Sequence, residues 1–104
     1  MDYFKGIIKC QICGGNYNKK FNNGQEEFLC ATKKNYGRIK CDSRNIKQQF
    51  LVDIIKKHCE LNGKSFTIEK TKLFVKLIKI DNDGIKILYK DGTTSEIANN
   101  SIRF

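Results

Sequence analysis

Two cysteines two residues apart, Cys10 and Cys13 in Cys10-Gln11-Ile12-Cys13-Gly14-Gly15, are the residues whose type and spacing could do chemistry. Two intervening residues make a tight turn that points both sulfurs at one ion, at the ~2.3 Å a zinc–thiolate bond requires. The glycines after the pair let the backbone take φ > 0 and bring amide N–H groups up to the sulfurs. A second pair, Cys30 and Cys41, follows after a gap wide enough for a β-hairpin. Four thiolates close a tetrahedron with no open position, so the set reads as one structural Zn²⁺ held by Cys10, Cys13, Cys30 and Cys41 rather than as a catalytic metal.

The rival chemistry is a thiol–disulfide pair. Residues 1–9 contain no apolar run of the kind that directs secretion, and in a reducing compartment cysteines at this spacing are more often metal ligands. A thioredoxin-like redox pair needs a strand before it and a helix opening at it, and Gly14-Gly15-Asn16 opposes a helix there. Cys59, next to His58, reads as a small buried apolar side chain and His58 as a partly buried one. Helix neighbours point about 100° apart, and the four-coordinate set is already complete.

The elements that must position these thiols are legible in order. Phe4, Ile7 and Ile8 form a first strand entering the cysteine turn. Asn16 to Phe21 and Gln25 to Cys30 are the arms of a hairpin turning at Asn22-Asn23-Gly24, with Tyr17 and Phe28 expected to pair across it. Ala31 to Lys40 is a polar basic loop with Tyr36 at its tip. Asn45 is the expected N-cap of a helix, with Gln48 three residues on. Leu51, Ile54, Ile55 and His58 share one face, and Asn62-Gly63 stops it. From Phe66 onward the period becomes that of strands. Phe74, Ile78 and Ile80 alternate with Val75, Leu77 and Lys79; turns at 81–84 and at Asp91-Gly92 then give a three-stranded meander ending at Thr93–Ile97. The tail from Ala98 to Phe104 is polar and expected to fray. The fold class is therefore α+β: a zinc β-ribbon, one amphipathic helix and a C-terminal antiparallel hairpin or meander. Residues 1–62 form the ribbon with its helix, and 63–104 the meander packed on that helix within one domain. A ribbon buries little apolar surface, so metal supplies much of the folding free energy.

The 104 residues carry 20 basic and 11 acidic side chains, a formal charge of +9. Four thiolates and one Zn²⁺ lower this to about +7. Between residues 31 and 47 stand Lys33, Lys34, Arg38, Lys40, Arg44 and Lys47 against Asp42 alone. Such a block fits a nucleic-acid footprint. It fits a lysine-rich solubilising surface equally well, and charge alone does not separate the two. No stretch approaches the 18 apolar residues of a membrane span. No acid pair, Ser/His/Asp set or glycine-rich phosphate loop suggests a small-molecule substrate.

Taken together, Gly6-Ile7-Ile8-Lys9 leading into the Cys-x-x-Cys-Gly-Gly turn, Phe28-Leu29-Cys30 leading to Cys41, Ile46 and an amphipathic helix resemble the zinc β-ribbon domain of large serine recombinases, the integrases and transposases of phages and conjugative elements. Residues 73–80 and 84–92 resemble the C-terminal hairpin of that family. The resemblance implies a module that binds double-stranded DNA at an attachment site, in the cytoplasm of a bacterium, with oligomers formed only within the full recombinase. Lys19, Lys20, Lys33, Lys34, Arg38, Lys40 and Arg44 would then contact phosphates, and Arg38 or Arg44 would read guanine edges. The family's catalytic serine domain has no counterpart in this sequence, so the chain is not expected to be an enzyme by itself. Residues 61–72 are too short a join for the coiled-coil arm often inserted there. The alternative is a protein-interaction ribbon that binds an acidic partner or a recombination directionality factor.

Overall fold

A computed structural model describes residues 3–22, 24–32, 45–81 and 84–98. Cys41, Tyr36 and the basic residues Lys33, Lys34, Arg38, Lys40 and Arg44 lie outside the described residues, as do the tail positions beyond Ala98.

The α+β expectation holds. Strand β1 (Ile8–Cys10) runs into the cysteine turn; β2 (Tyr17–Asn22) and β3 (Gln25–Cys30) form the ribbon hairpin. The antiparallel register runs from Tyr17↔Cys30 to Asn22↔Gln25, and Gly24 takes φ 77°, as a tight hairpin turn requires. Tyr17 and Phe28 do not pair as expected. Phe28 stands opposite Lys19, and its ring meets Phe4 edge-on, with centroids 5.2 Å apart. Strand β4 (Ile46–Lys47) adds to β3, and helix α1 (Gln48–Leu61) follows directly.

That short strand displaces the expected helix cap. Ile46 and Lys47 are spent on the ladder, so the N-cap position falls on Lys47, which makes no side-chain cap hydrogen bond. Asn45 instead donates to Glu27 Oε1 at 3.4 Å, and Gln48 donates to Glu26 Oε2 at 2.7 Å. The C-terminus of α1 behaves as Asn62-Gly63 predicted. The Gly63 amide donates to Glu60 O and the Lys64 amide to Cys59 O, with Gly63 at φ 70°. This is a Schellman ending, in which glycine takes the left-handed residue. The buried stripe of α1 is Leu51, Ile55 and Cys59, with Ile54 and His58 at its margin.

After a 3₁₀ turn (Ile68–Lys70) and a short helix α2 (Thr71–Phe74), strands β5 (Val75–Ile80), β6 (Gly84–Tyr89) and β7 (Thr94–Ala98) form the meander. Phe74 ends α2 and does not join the strand. A register irregularity between Val75 and Leu77 puts Val75, Ile78 and Ile80 in the core. The meander also gains a strand, because β1 pairs in parallel with β5 (Ile8↔Ile78, Cys10↔Ile80), giving the order β1-β5-β6-β7. The strand entering the cysteine turn thus belongs to the sheet of the C-terminal segment, and β2-β3-β4 form a separate sheet.

His58 clamps α1 onto the β6–β7 turn. Its ring stacks on Tyr89, with centroids 3.9 Å apart and planes 5° off parallel, and its Nε2 lies 2.9 Å from Thr93 Oγ1. The Thr93 hydroxyl and amide both donate to Asp91 Oδ1, and Lys64 reaches Oδ2 at 3.0 Å. These donors, Thr93 first and Lys64 after, hold the Asp91 carboxyl well below the usual carboxylate range. A depressed folded-state value makes this contribution complete above the unfolded carboxylate value near pH ~4, and it is lost progressively as pH falls below that. Asp91 is exposed, so the effect is a modest, screened one. The stability difference between the native chain and Asp91→Asn is expected to narrow between pH 6 and pH 2 in urea titrations. A difference that stays constant with pH would remove the charge from this account.

Candidate metal centre

The cysteine turn is built by its backbone. Cys10 N donates to Gly15 O at 2.8 Å, Gly14 N donates to Cys10 O at 2.9 Å, and Lys9 bridges to Asn16. This closes the loop so that Cys13 folds back over the end of β1. The Gly15 amide points at Cys13 Sγ, 3.4 Å away, a donor that favours the thiolate over the thiol. Gly15 sits close to its neighbours. A Cβ there would meet Thr32 Oγ1 at 3.0 Å and Cys13 Sγ at 3.3 Å. Cys30 arrives from the last position of β3, opposite Tyr17, and the Ala31 amide donates to Asn16 O just beyond it.

These constraints converge three sulfurs. The Sγ atoms of Cys10, Cys13 and Cys30 all lie within 4.8 Å of one another, and those of Cys13 and Cys30 are 3.4 Å apart. Tetrahedral thiolates at ~2.3 Å from zinc stand about 3.8 Å from each other. The donor set, all sulfur and arranged as one face of a tetrahedron, fits that ion. Cys10 and Cys30 are buried and Cys13 is exposed. Cys10 belongs to one sheet and Cys30 to the other, so an ion held here ties the two sheets together.

Among the described residues His58 and Cys59 stand apart from this cluster. Cys59 is buried on the helix stripe, and that burial pushes its thiol up, away from the thiolate a ligand needs.

The family model described as "Recombinase zinc beta ribbon domain" matches residues 3–60, more than half of the sequence and all four cysteines of the predicted set. The chain belongs to this family. A recombinase zinc β-ribbon with three converged thiols carries one structural zinc, and this chain has that arrangement. A solved structure described as "Sequence Requirements of the Listeria innocua prophage attP site" shares the fold, with a TM-score of 0.57, over 85% of this chain at 16% identity. The chain spans 42% of the length of that structure. No curated protein matches the sequence.

Of the expected DNA contacts, Lys19 and Lys20 fall on β2 of this recombinase ribbon. They differ in availability. Lys19 is held 3.0 Å from Glu26, with its side chain only 19% exposed, and it keeps the Glu26 carboxyl below its usual range. Lys20 is exposed. The one feature sequence reasoning passed over on this hairpin is Phe21, an aromatic 71% exposed near its tip. Placing it at the end of a strand gave no sign of that exposure.

Proposed function

We propose that this chain is the non-catalytic DNA-binding part of a site-specific serine recombinase and that it recognises attachment-site DNA. The observation that carries the reading is membership of the recombinase zinc ribbon family, over a segment whose thiols converge at the foot of the β2–β3 hairpin. The attP site named for the structural neighbour supports the choice of target. In this reading Cys41 supplies the fourth thiolate. The metal fixes the hairpin and the loop after it, and Lys33, Lys34, Arg38, Lys40 and Arg44 meet phosphates, with Arg38 or Arg44 at a guanine edge. Lys20 serves the hairpin better than Lys19, whose charge is already engaged by Glu26. The segments 1–62 and 63–104 act as one unit, an arrangement that the β1–β5 pairing favours.

Neutralising phosphates releases counterions, so affinity must fall with salt. About five phosphate contacts give a loss of roughly 10²–10³-fold between 50 and 200 mM salt. Fluorescence anisotropy with duplex DNA measures this directly, and Lys20→Ala is expected to lower the salt slope by about one. Affinity that does not change with salt would sink the reading and favour a protein-binding ribbon.

A further inference from the structure

The outer face of the four-stranded sheet carries charge that neither the metal nor the hairpin uses. Ile8 and Cys10 of β1, Ile78 and Ile80 of β5, and Ile85 and Ile87 of β6 are buried in the core. The residues between them point the other way. The register sets those residues directly opposite one another, as Lys9↔Lys79, Lys79↔Lys86 and Lys86↔Glu96. Residues paired in a ladder share a face, so three lysines stand in one row across three adjacent strands. The next row on this face is Leu77↔Leu88↔Thr94, with both leucines half-buried and outside the core cluster. The lysine row is poorly compensated. Lys86 reaches Glu96 at 3.4 Å, but the side chains are 48% and 69% exposed, and such a pair holds weakly. Lys9 donates to the neutral amide oxygen of Asn16. Lys79, in the middle, has no ion-pair partner among the described residues.

Like charges directly opposite one another destabilise a ladder. Strands ~4.8 Å apart keep these ammonium groups within the ~8 Å over which salt screens them. A surface whose lysines serve solubility intersperses both signs, whereas this row gathers one. The pattern fits a polyanion. Three ammonium groups spread over about 10 Å face a length of duplex in which one strand presents about three phosphates, one per ~3.4 Å of axis. An acidic protein segment calls for an aromatic or arginine anchor at the centre of its docking site, and the centre of this row is a lysine. We propose that the outer face of the four-stranded sheet is a second footing for the DNA backbone, on which Lys9, Lys79 and Lys86 neutralise phosphates without reading sequence. The proposal rests on the DNA-binding reading above and extends it from the ribbon to the C-terminal sheet.

The test measures the salt dependence of duplex binding by the zinc-loaded chain and its variants. Each phosphate contact contributes about 0.9 to the slope of log affinity against log salt. Between 50 and 200 mM salt, Lys79→Gln should therefore lose roughly threefold less affinity than the native chain, and Lys79→Gln with Lys86→Gln roughly tenfold less. The change should be the same on duplexes of unrelated sequence. Lys79→Arg should restore the native slope. Lys79→Gln also relieves repulsion in the free protein, so it should melt no lower than the native chain, an outcome that a merely structural role for Lys79 would reverse. Lys56→Gln, at an exposed lysine of α1, is the control for bulk charge. If the sheet variants keep the native slope, or if Lys56→Gln lowers it as much as they do, the assignment is overturned while DNA binding stands. If Lys79→Gln weakens binding of a polyglutamate peptide but not of duplex, the face serves an acidic protein and the assignment is likewise overturned. If the native chain binds no duplex at all, the DNA-binding reading itself fails.

Discussion

Stripping the metal with a strong chelator is expected to release the ribbon hairpin while the C-terminal sheet keeps most of its protection. The two sheets contribute unequally to the core. Within one continuous buried cluster the four-stranded sheet supplies Ile8, Val75, Ile78, Ile80, Ile85, Ile87 and Tyr89, and α1 supplies Leu51 and Ile55. The ribbon has Tyr17, Phe28 and Ile46, with Leu29 at its edge. Structural zinc in small ribbons contributes about 10–16 kcal/mol, as much as the whole stability of an ordinary domain, about 5–15 kcal/mol. A two-stranded hairpin extended by a two-residue strand has no such reserve of its own. Amide exchange measures the outcome residue by residue. Lys19 and Phe28 should lose protection on chelation, and Ile78 and Ile87 should retain it. Cys30→Ser should reproduce the chelated pattern. Cys59→Ser, off the metal, should keep one zinc per chain and cost only about 1–3 kcal/mol for a buried hydroxyl. Equal loss of protection in both sheets would mean that the metal supports one cooperative unit, against this expectation.

Three thiols of that centre were legible because they depend on local rules. Cys-x-x-Cys-Gly-Gly specifies a turn by spacing and by the glycines, and the Asn-Gly hairpin returns Cys30 by register. The end of α1 was legible for the same reason, since Asn62-Gly63 is a local signal and the Schellman hydrogen bonds are local. What was not legible is non-local. Ile8-Lys9-Cys10 has a strand's alternation, but nothing in three residues names β5, about seventy positions away, as its partner. The missed cap has the same origin. Asn45 and Gln48 form a plausible local box, yet pairing of Ile46 with Phe28 takes the backbone into a ladder before the helix begins. In β5 an irregularity at Val75–Leu77 shifts the inward face, and no two-residue period encodes that. The exposure of Phe21 belongs to this group too, because it follows from where the core stops.

Gly84→Ala is expected to be the most damaging single substitution outside the metal site. In the sequence Gly84 looks like the end of a turn, which most small residues would tolerate. In the fold it is the first residue of β6, paired with Ala98 of β7, at φ 150°. Its amide is held by Asp81 Oδ1 at 2.9 Å, and its carbonyl accepts from Asp81 N at 3.0 Å, so the backbone is fixed on the side of the turn. A Cβ placed there would lie 2.0 Å from Ile97 O and 3.0 Å from Ile97 C. Those are backbone atoms, and no side-chain rotation relieves the clash. Either β7 is pushed off the sheet edge or β6 gives up the conformation that Asp81 holds. Strain at a conformation that L side chains rarely adopt and an overpacked contact together come to about 3–5 kcal/mol, a fall in Tm of roughly 10–30 °C for a domain of this size. Gly92→Ala separates the two causes. Gly92 also has positive φ, 91°, but nothing lies within 4 Å of its Cβ position. It should therefore show the conformational cost alone, about 1–2 kcal/mol. Thermal denaturation of the two variants decides the matter. If they melt together, the close approach of Ile97 does not govern stability, and the pairing of β6 with β7 is looser than the register from Gly84↔Ala98 to Leu88↔Thr94 implies.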